Sequence, residues 1–223
     1  MAGQQVLVVG LGQFGMALAR ALSANGEEVI AVDRNPDRVQ VAAGFATEAV
    51  EMDAMDEAEL ARLRPGNRDL CVCAIGDESR EASIIVTAMM RQMGARRIVA
   101  RATDELHERI LHLVGAHEVL NPERVVGERL AARLSSRGVL DVVPLGEDLE
   151  ITEIEVPEAI RGRTLAELQL PRRHRLTVLA VRRRQEGGTG RVRLPEADMR
   201  LADGDVLVVV GETGRAARFT EGF

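Results

Sequence analysis

At 223 residues the chain has room for one α/β domain and a smaller second one, and its 46% hydrophobic content is that of a folded protein. Aromatic residues supply only 2%, all Phe, so the core must come from Val, Leu, Ile, Ala and Met. The net charge of −6 argues against a general nucleic-acid binder, and all 29 basic residues are Arg, which excludes a P-loop or Schiff-base lysine.

The opening MAGQQVLVV runs straight into a strand, without the basic region and cleavage site of a signal peptide. No apolar run approaches the ~18–20 residues that cross a bilayer, so a cytoplasmic location without membrane insertion is expected. The first strand, VLVV (6–9), leads into GLGQFG and a helical pattern behind it. In such a turn Gly10 permits the tight bend, Gly12 lets the backbone approach a phosphate, and Gly15 lets helix and strand pack closely. Backbone N–H groups at the helix start then face the anion. The second strand, VIAV (29–32), ends on Asp33, 18 residues past Gly15 and placed to accept hydrogen bonds from ribose hydroxyls. Its negative charge disfavours a 2′-phosphate.

The next strand, 48–52, leads to Asp53, which either reaches the adenosine or caps the helix expected over 56–64; the residues leave both open. Strand 69–75 carries Cys71 and Cys73 on one face, as small hydrophobes of the core. GDES (76–79) after it is a turn with a cap or part of a cleft mouth. Strands at 97–101 and 117–120 complete six strands alternating with helices, the pattern of a doubly wound parallel sheet. Asn121-Pro122 then starts a helix ending near Gly138, with Val125, Val126, Leu130 and Leu134 as an apolar stripe that needs a partner surface. After the strand DVVPL the texture changes. Short β segments at 151–156, 176–181 and 206–210, a helical turn in TLAELQL, a hairpin loop at EGGTG (186–190) and a closing helix from Thr213 read as a small α+β unit. The expected division is 1–120, a crossover helix and linker over 121–143, and 144–223.

An enzyme is harder to find. His107, His112 and His117 do not share one helix face, and His174 lies in PRRHR, which reads as an exposed loop. No GxSxG, HExxH or CxxC pattern is present. A small NAD-dependent oxidoreductase would need acid/base groups from the C-terminal unit. The arginines at 172–173, 175 and 182–184 lack the interleaved aromatics of a nucleic-acid surface. A nucleotide-binding regulator remains the leading reading.

GLGQFG, VDRN (32–35), MDAMDE (52–57), AIGD (74–77), VAR (99–101), GAHEVLNPERVVGERLA (115–131), EIEVPEAIRGRTLAEL (153–168) and LADGDVLVVVG follow one another in a familiar order. Together they resemble the RCK domains that regulate potassium conductance, in particular the cytosolic Trk/Ktr-type subunits of potassium uptake systems, over nearly the whole chain. The resemblance implies a Rossmann-like RCK domain, a crossover helix and an α+β C-terminal RCK subdomain. It implies dimers assembling into an octameric ring beneath a membrane potassium-translocating subunit, gated by the bound nucleotide (ATP/ADP or NAD(H)). Position by position, it implies that Gly10, Gly12 and Gly15 hold phosphates and that Asp33 and Asn35 hold the ribose, with Leu11, Gln13, Phe14 and Arg34 in the same nucleotide-binding set. Asp53 and Ala54 border the adenosine, Ala74, Ile75 and Gly76 belong to the same nucleotide-binding set, and Arg101 faces the outer phosphates. Glu123 matches an acid that helps bind Mg²⁺ or Ca²⁺ at a dimer interface; it also suits the first turn of a helix without any metal. One departure is Gln13, where Ktr-type members commonly carry an Arg on the terminal phosphate. Glutamine brings no charge, which weakens ATP/ADP discrimination and makes NAD(H) or AMP more plausible. Pro171 stands where an Arg contact to a cyclic dinucleotide is often found, so no such ligand is expected.

Overall fold

Short apolar runs separated by amphipathic segments leave the chain one economical way to hide its backbone, and the computed structural model, which describes residues 3–76, 79–185 and 188–222, adopts it. In its first compact unit, Met1–Arg124, strands β1 (Gln5–Val9), β2 (Glu28–Asp33), β3 (Glu48–Glu51), β4 (Leu70–Cys73), β5 (Ile98–Arg101) and β6 (Glu118–Leu120) pair in parallel. Their spatial order is β3-β2-β1-β4-β5-β6. Helices α1 (Gln13–Ala24), α2 (Pro36–Ala42), α3 (Glu57–Arg62), α4 (Arg80–Gln92) and α5 (Glu105–Leu113) form the crossovers. Because both sheet faces are covered, the central strands carry apolar residues at successive positions rather than alternating ones. Leu7 and Val9 join Cys71, Cys73 and Met90 in one core, while Val6 and Val8 join Ala19 and Val72 in the other. The cysteines therefore pack as expected, and burial pushes the Cys71 thiol up to about 12.

The order reverses at β1, which has β2 on one side and β4 on the other. In such sheets the crevice beyond the carboxyl ends of these strands is where ligands bind. Local chemistry fixes the helix starts there. Asn35 caps α2 through Oδ1, Asp56 caps α3, Ser79 caps α4 and Asp104 caps α5. Asn121 Oδ1 accepts from the Arg124 N–H at 2.9 Å, opening α6 (Pro122–Ser135). The stripe Val125, Val126, Leu130 and Leu134 of α6 is exposed.

The second unit, Val125–Phe223, is built on an antiparallel sheet of order β10-β9-β11-β8-β7. Its strands are β7 (Val139–Pro144), β8 (Leu149–Glu155), β9 (Thr177–Gln185), β10 (Gly188–Arg193) and β11 (Val206–Glu212), with α7 (Leu165–Leu168), α8 (Leu170–His174) and α9 (Arg215–Glu221) packed beside them. Ile154, Ile160, Leu176, Leu207 and Phe219 anchor its core. Thr164 and Glu167 form a reciprocal capping box at the start of α7. The segment read as an exposed loop, PRRHR, is largely helical: Pro171 sits near the start of α8, where its missing N–H costs nothing. His174 there is half-buried edge-on against Phe219, with ring centroids 4.8 Å apart. Part of the expected EGGTG hairpin loop lies outside the described residues, as do Asp77 and Glu78 of GDES.

Candidate functional site

The turn after β1 shows three glycines with three different duties. Gly10 has φ +95°, a conformation L side chains rarely adopt, and its N–H donates to the Val32 carbonyl at 2.8 Å. A Cβ at Gly15 would collide with the Gly10 carbonyl oxygen, so glycine there is required by helix–strand packing. A Cβ at Gly12 would meet nothing within 4 Å. The protein itself does not require glycine at 12, and the space is left on the cavity side.

Gly12 is also the N-cap of α1. No side chain caps that end, and its first turn carries no acid. The other crossover helices of this unit all have a side-chain cap. The start of α1 thus keeps N–H donors and the positive end of the helix dipole available to an anion.

Asp33 closes the turn from the side. It is 7% exposed; Oδ2 accepts from the Leu11 N–H at 2.6 Å and Oδ1 from the Asn35 N–H at 2.8 Å. Arg38 Nη1 lies 3.5 Å from Oδ2. Each carboxylate oxygen has two lone pairs, so the geometry holds Asp33 rigidly and leaves acceptor capacity for hydroxyl donors.

A cavity of about 440 Å³ opens at this point. The turn contributes Gly10, Gly12, Gln13 and Phe14, and the end of β2 contributes Asp33 and Arg34. The segment after β3 adds Asp53 and Ala54, and the segment after β4 adds Ala74, Ile75 and Gly76. Arg101 and Glu123 complete the wall. Three of the sequence-predicted residues lie outside the lining. Leu11 points into the core and offers only its N–H to Asp33. Gly15 is a packing glycine, and Asn35 spends its amide oxygen capping α2. Of the two readings left open at Asp53, the cap falls to Asp56, while Asp53 accepts from the Met55 N–H at 3.0 Å and stays at the cavity wall. Ser79 of GDES both caps α4 and lines the cavity.

Sequence reasoning missed Arg38, Met52 and Met55 as lining residues. Arg38 had a legible signal: it is the third helical residue after the Asn35 cap, and side chains there reach back over the helix start. Glu123, matched above to a cation ligand, bonds Arg101 instead, Oε1 to Nη2 at 2.5 Å. Among the described residues no three His, Cys, Asp or Glu side chains converge as a metal site. A divalent cation at Glu123 would thus need donors besides the described His, Cys, Asp and Glu side chains, such as ligand phosphates or a second copy.

Comparison with known proteins is consistent with this picture. The TrkA-N domain model matches residues 6–122 and the TrkA-C domain model residues 151–223. The chain is 34% identical to Ktr system potassium uptake protein A of Vibrio alginolyticus, over 96% of this chain and 95% of that one. It belongs to the Ktr/Trk potassium uptake protein family. Ktr system potassium uptake protein C of Bacillus subtilis (strain 168) is 33% identical over 97% and 96% of the two chains. Among solved structures, the GsuK channel bound to NAD superposes with a TM-score of 0.65 at 19% identity, covering 99% of this chain and 39% of that longer one. The shared RCK fold is thus a Rossmann-like parallel sheet followed by an antiparallel C-terminal subdomain. No helix among the described residues is long and apolar enough to cross a membrane.

Proposed function

We propose that this chain is a cytosolic, nucleotide-sensing regulatory subunit of a Ktr-type potassium uptake system, docking on a membrane potassium-translocating subunit. The observation that carries the reading is the cavity at the β1 turning point, where the uncapped start of α1, the rigidly held Asp33 and the arginines converge. The helix start and Arg101 suit phosphates, Asp33 suits ribose hydroxyls, and Met52, Ala54 and Ile75 supply apolar wall for an adenine. ADP, ATP or NAD(H) fit that description. Exposed Val126 and Leu134 on α6 support assembly with further copies, dimers building an octameric ring. Nucleotide binding then biases the assembly between conformations that open or close the partner.

Calorimetric titration of the full chain with ATP, ADP, AMP, NAD⁺ and NADH tests this. Micromolar binding without turnover is expected, and Asp33→Ala weakens it by about 1–3 kcal/mol, the scale of charged hydrogen bonds lost. Silence toward all five ligands overturns the reading.

A further inference from the structure

Among the described residues one methionine is exposed, and it also lines the cavity. Met55 is 44% exposed, whereas Met52, Met90 and Met199 are buried and Met16, Met89 and Met93 half-buried. Its backbone is held in a closed turn. The Met55 N–H donates to Asp53 Oδ1 at 3.0 Å, and the Asp56 N–H donates to the Asp53 carbonyl at 3.0 Å. Asp56 then caps α3. Met52 and Ala54, on either side of Asp53, are buried, so the turn is anchored on the core and leaves the Met55 thioether where the cavity meets solvent. The sulfurs that ordinarily react first are closed off. Cys71 and Cys73 are both buried, and burial pushes the Cys71 thiol up to about 12, so neither offers an accessible thiolate.

Resting on the nucleotide reading above, we propose that Met55 is an oxidant-sensitive modification site, whose conversion to the sulfoxide by a hydroperoxide lowers the cavity's affinity for adenine nucleotides. A sulfur lone pair attacks one peroxide oxygen, and the S–O bond forms as the O–O bond breaks. Sulfur is oxidised, the peroxide is reduced, and with hydrogen peroxide the other oxygen leaves as water. The product places a polar oxygen in a wall that Met52, Ala54 and Ile75 otherwise keep apolar. An adenine seated there leaves that oxygen without a hydrogen-bond partner or is held off by the water that solvates it, and either weakens binding. The groups facing ribose and phosphate are untouched, so every adenine ligand loses affinity by a similar factor.

The experiment treats the full chain with dilute hydrogen peroxide, follows each methionine by peptide mass spectrometry, and titrates ADP and NAD⁺ by calorimetry before treatment and once Met55 has reacted. Met55 is expected to gain one oxygen ahead of the other described methionines, with affinity for both ligands falling roughly three- to tenfold. Methionine sulfoxide reductase is expected to restore it. Met55→Leu, close in volume, is compared with its own untreated baseline, which peroxide leaves unmoved. If that variant binds too weakly to titrate, reversal by the reductase decides. Reaction of Met55 no faster than the buried methionines, an affinity unchanged after it has reacted, or a loss that persists in full in Met55→Leu overturns the inference alone. Silence of the untreated chain toward both ligands removes the nucleotide reading and the inference with it.

Discussion

Each unit of the molecule buries an aspartate at the end of a strand or beside one, and the two are treated differently. Asp33 in the first unit takes two backbone N–H groups and faces a cavity. Asp205 in the second is 1% exposed and holds Arg183 in both arms, Nε to Oδ1 and Nη2 to Oδ2 at 3.1 Å each, while Oδ2 also accepts from the Ala202 N–H at 2.9 Å. Both carboxylates have three partner groups from their own chain, Asp33 counting Arg38; the first also lines a cavity that a hydroxyl donor can enter, and the second is enclosed. Burial of a charge alone therefore does not mark a site. What marks it is burial together with an open cavity that a ligand donor can enter.

The strongest way to break this comparison is to remove the second aspartate. Asp205→Ala leaves the Ala202 N–H without its acceptor and the half-exposed Arg183 guanidinium with only the Arg200 carbonyl, and loss of about 2–3 kcal/mol of stability is expected. Thermal unfolding measures it, and nucleotide affinity in the surviving folded protein stays at the wild-type value. An affinity loss matching that of Asp33→Ala would erase the distinction between the two acids.

The glycines sharpen the same contrast within the first unit. Gly15→Ala drives a methyl into the Gly10 carbonyl, and a cost of about 2 kcal/mol is expected from overpacking, read by chemical unfolding. Gly12→Ala meets nothing in the protein, so its stability changes by less than about 0.5 kcal/mol while nucleotide binding weakens, because the methyl occupies the path of the phosphate. Equal effects on stability and binding at both positions would mean that Gly12, too, is a packing glycine.

The parallel sheet was legible because its signal is local and repeated: apolar runs such as VIAV, each followed by a polar cap. GLGQFG and Asp33 were legible because their chemistry is tied to strand ends. Asn35 reads two ways for the same reason: a residue that suits a ribose also suits a helix cap, and its amide oxygen takes the cap. The Arg101–Glu123 pair spans 22 residues and is made by the fold, so no window of sequence displays it. The helical state of PRRHR escaped notice because five residues are too few for periodicity, and tertiary packing of Leu170 and His174 decides it.

The smallest effect separates the units by pH. His107 in α5 is 2% exposed; Nδ1 faces the Thr103 N–H and hydroxyl at 3.3 Å, and Nε2 has no hydrogen-bond partner. Burial first, then the Arg80 guanidinium, holds the imidazole below its usual value of 6.5, while Asp104 pulls the other way. The folded chain therefore keeps His107 neutral at a pH where the unfolded chain has already taken up a proton. Stability is at its full value above that usual value and declines as pH falls through it toward the depressed folded one. Asp104, held low by the His107 N–H, titrates in a more acidic window and does not blur this one. The second unit buries no histidine among its described residues. Unfolding between pH 7 and 5 should thus weaken the first unit alone, and His107→Gln should flatten that slope. A slope unchanged by His107→Gln would place the acid sensitivity in some other group and leave the two units alike in this respect.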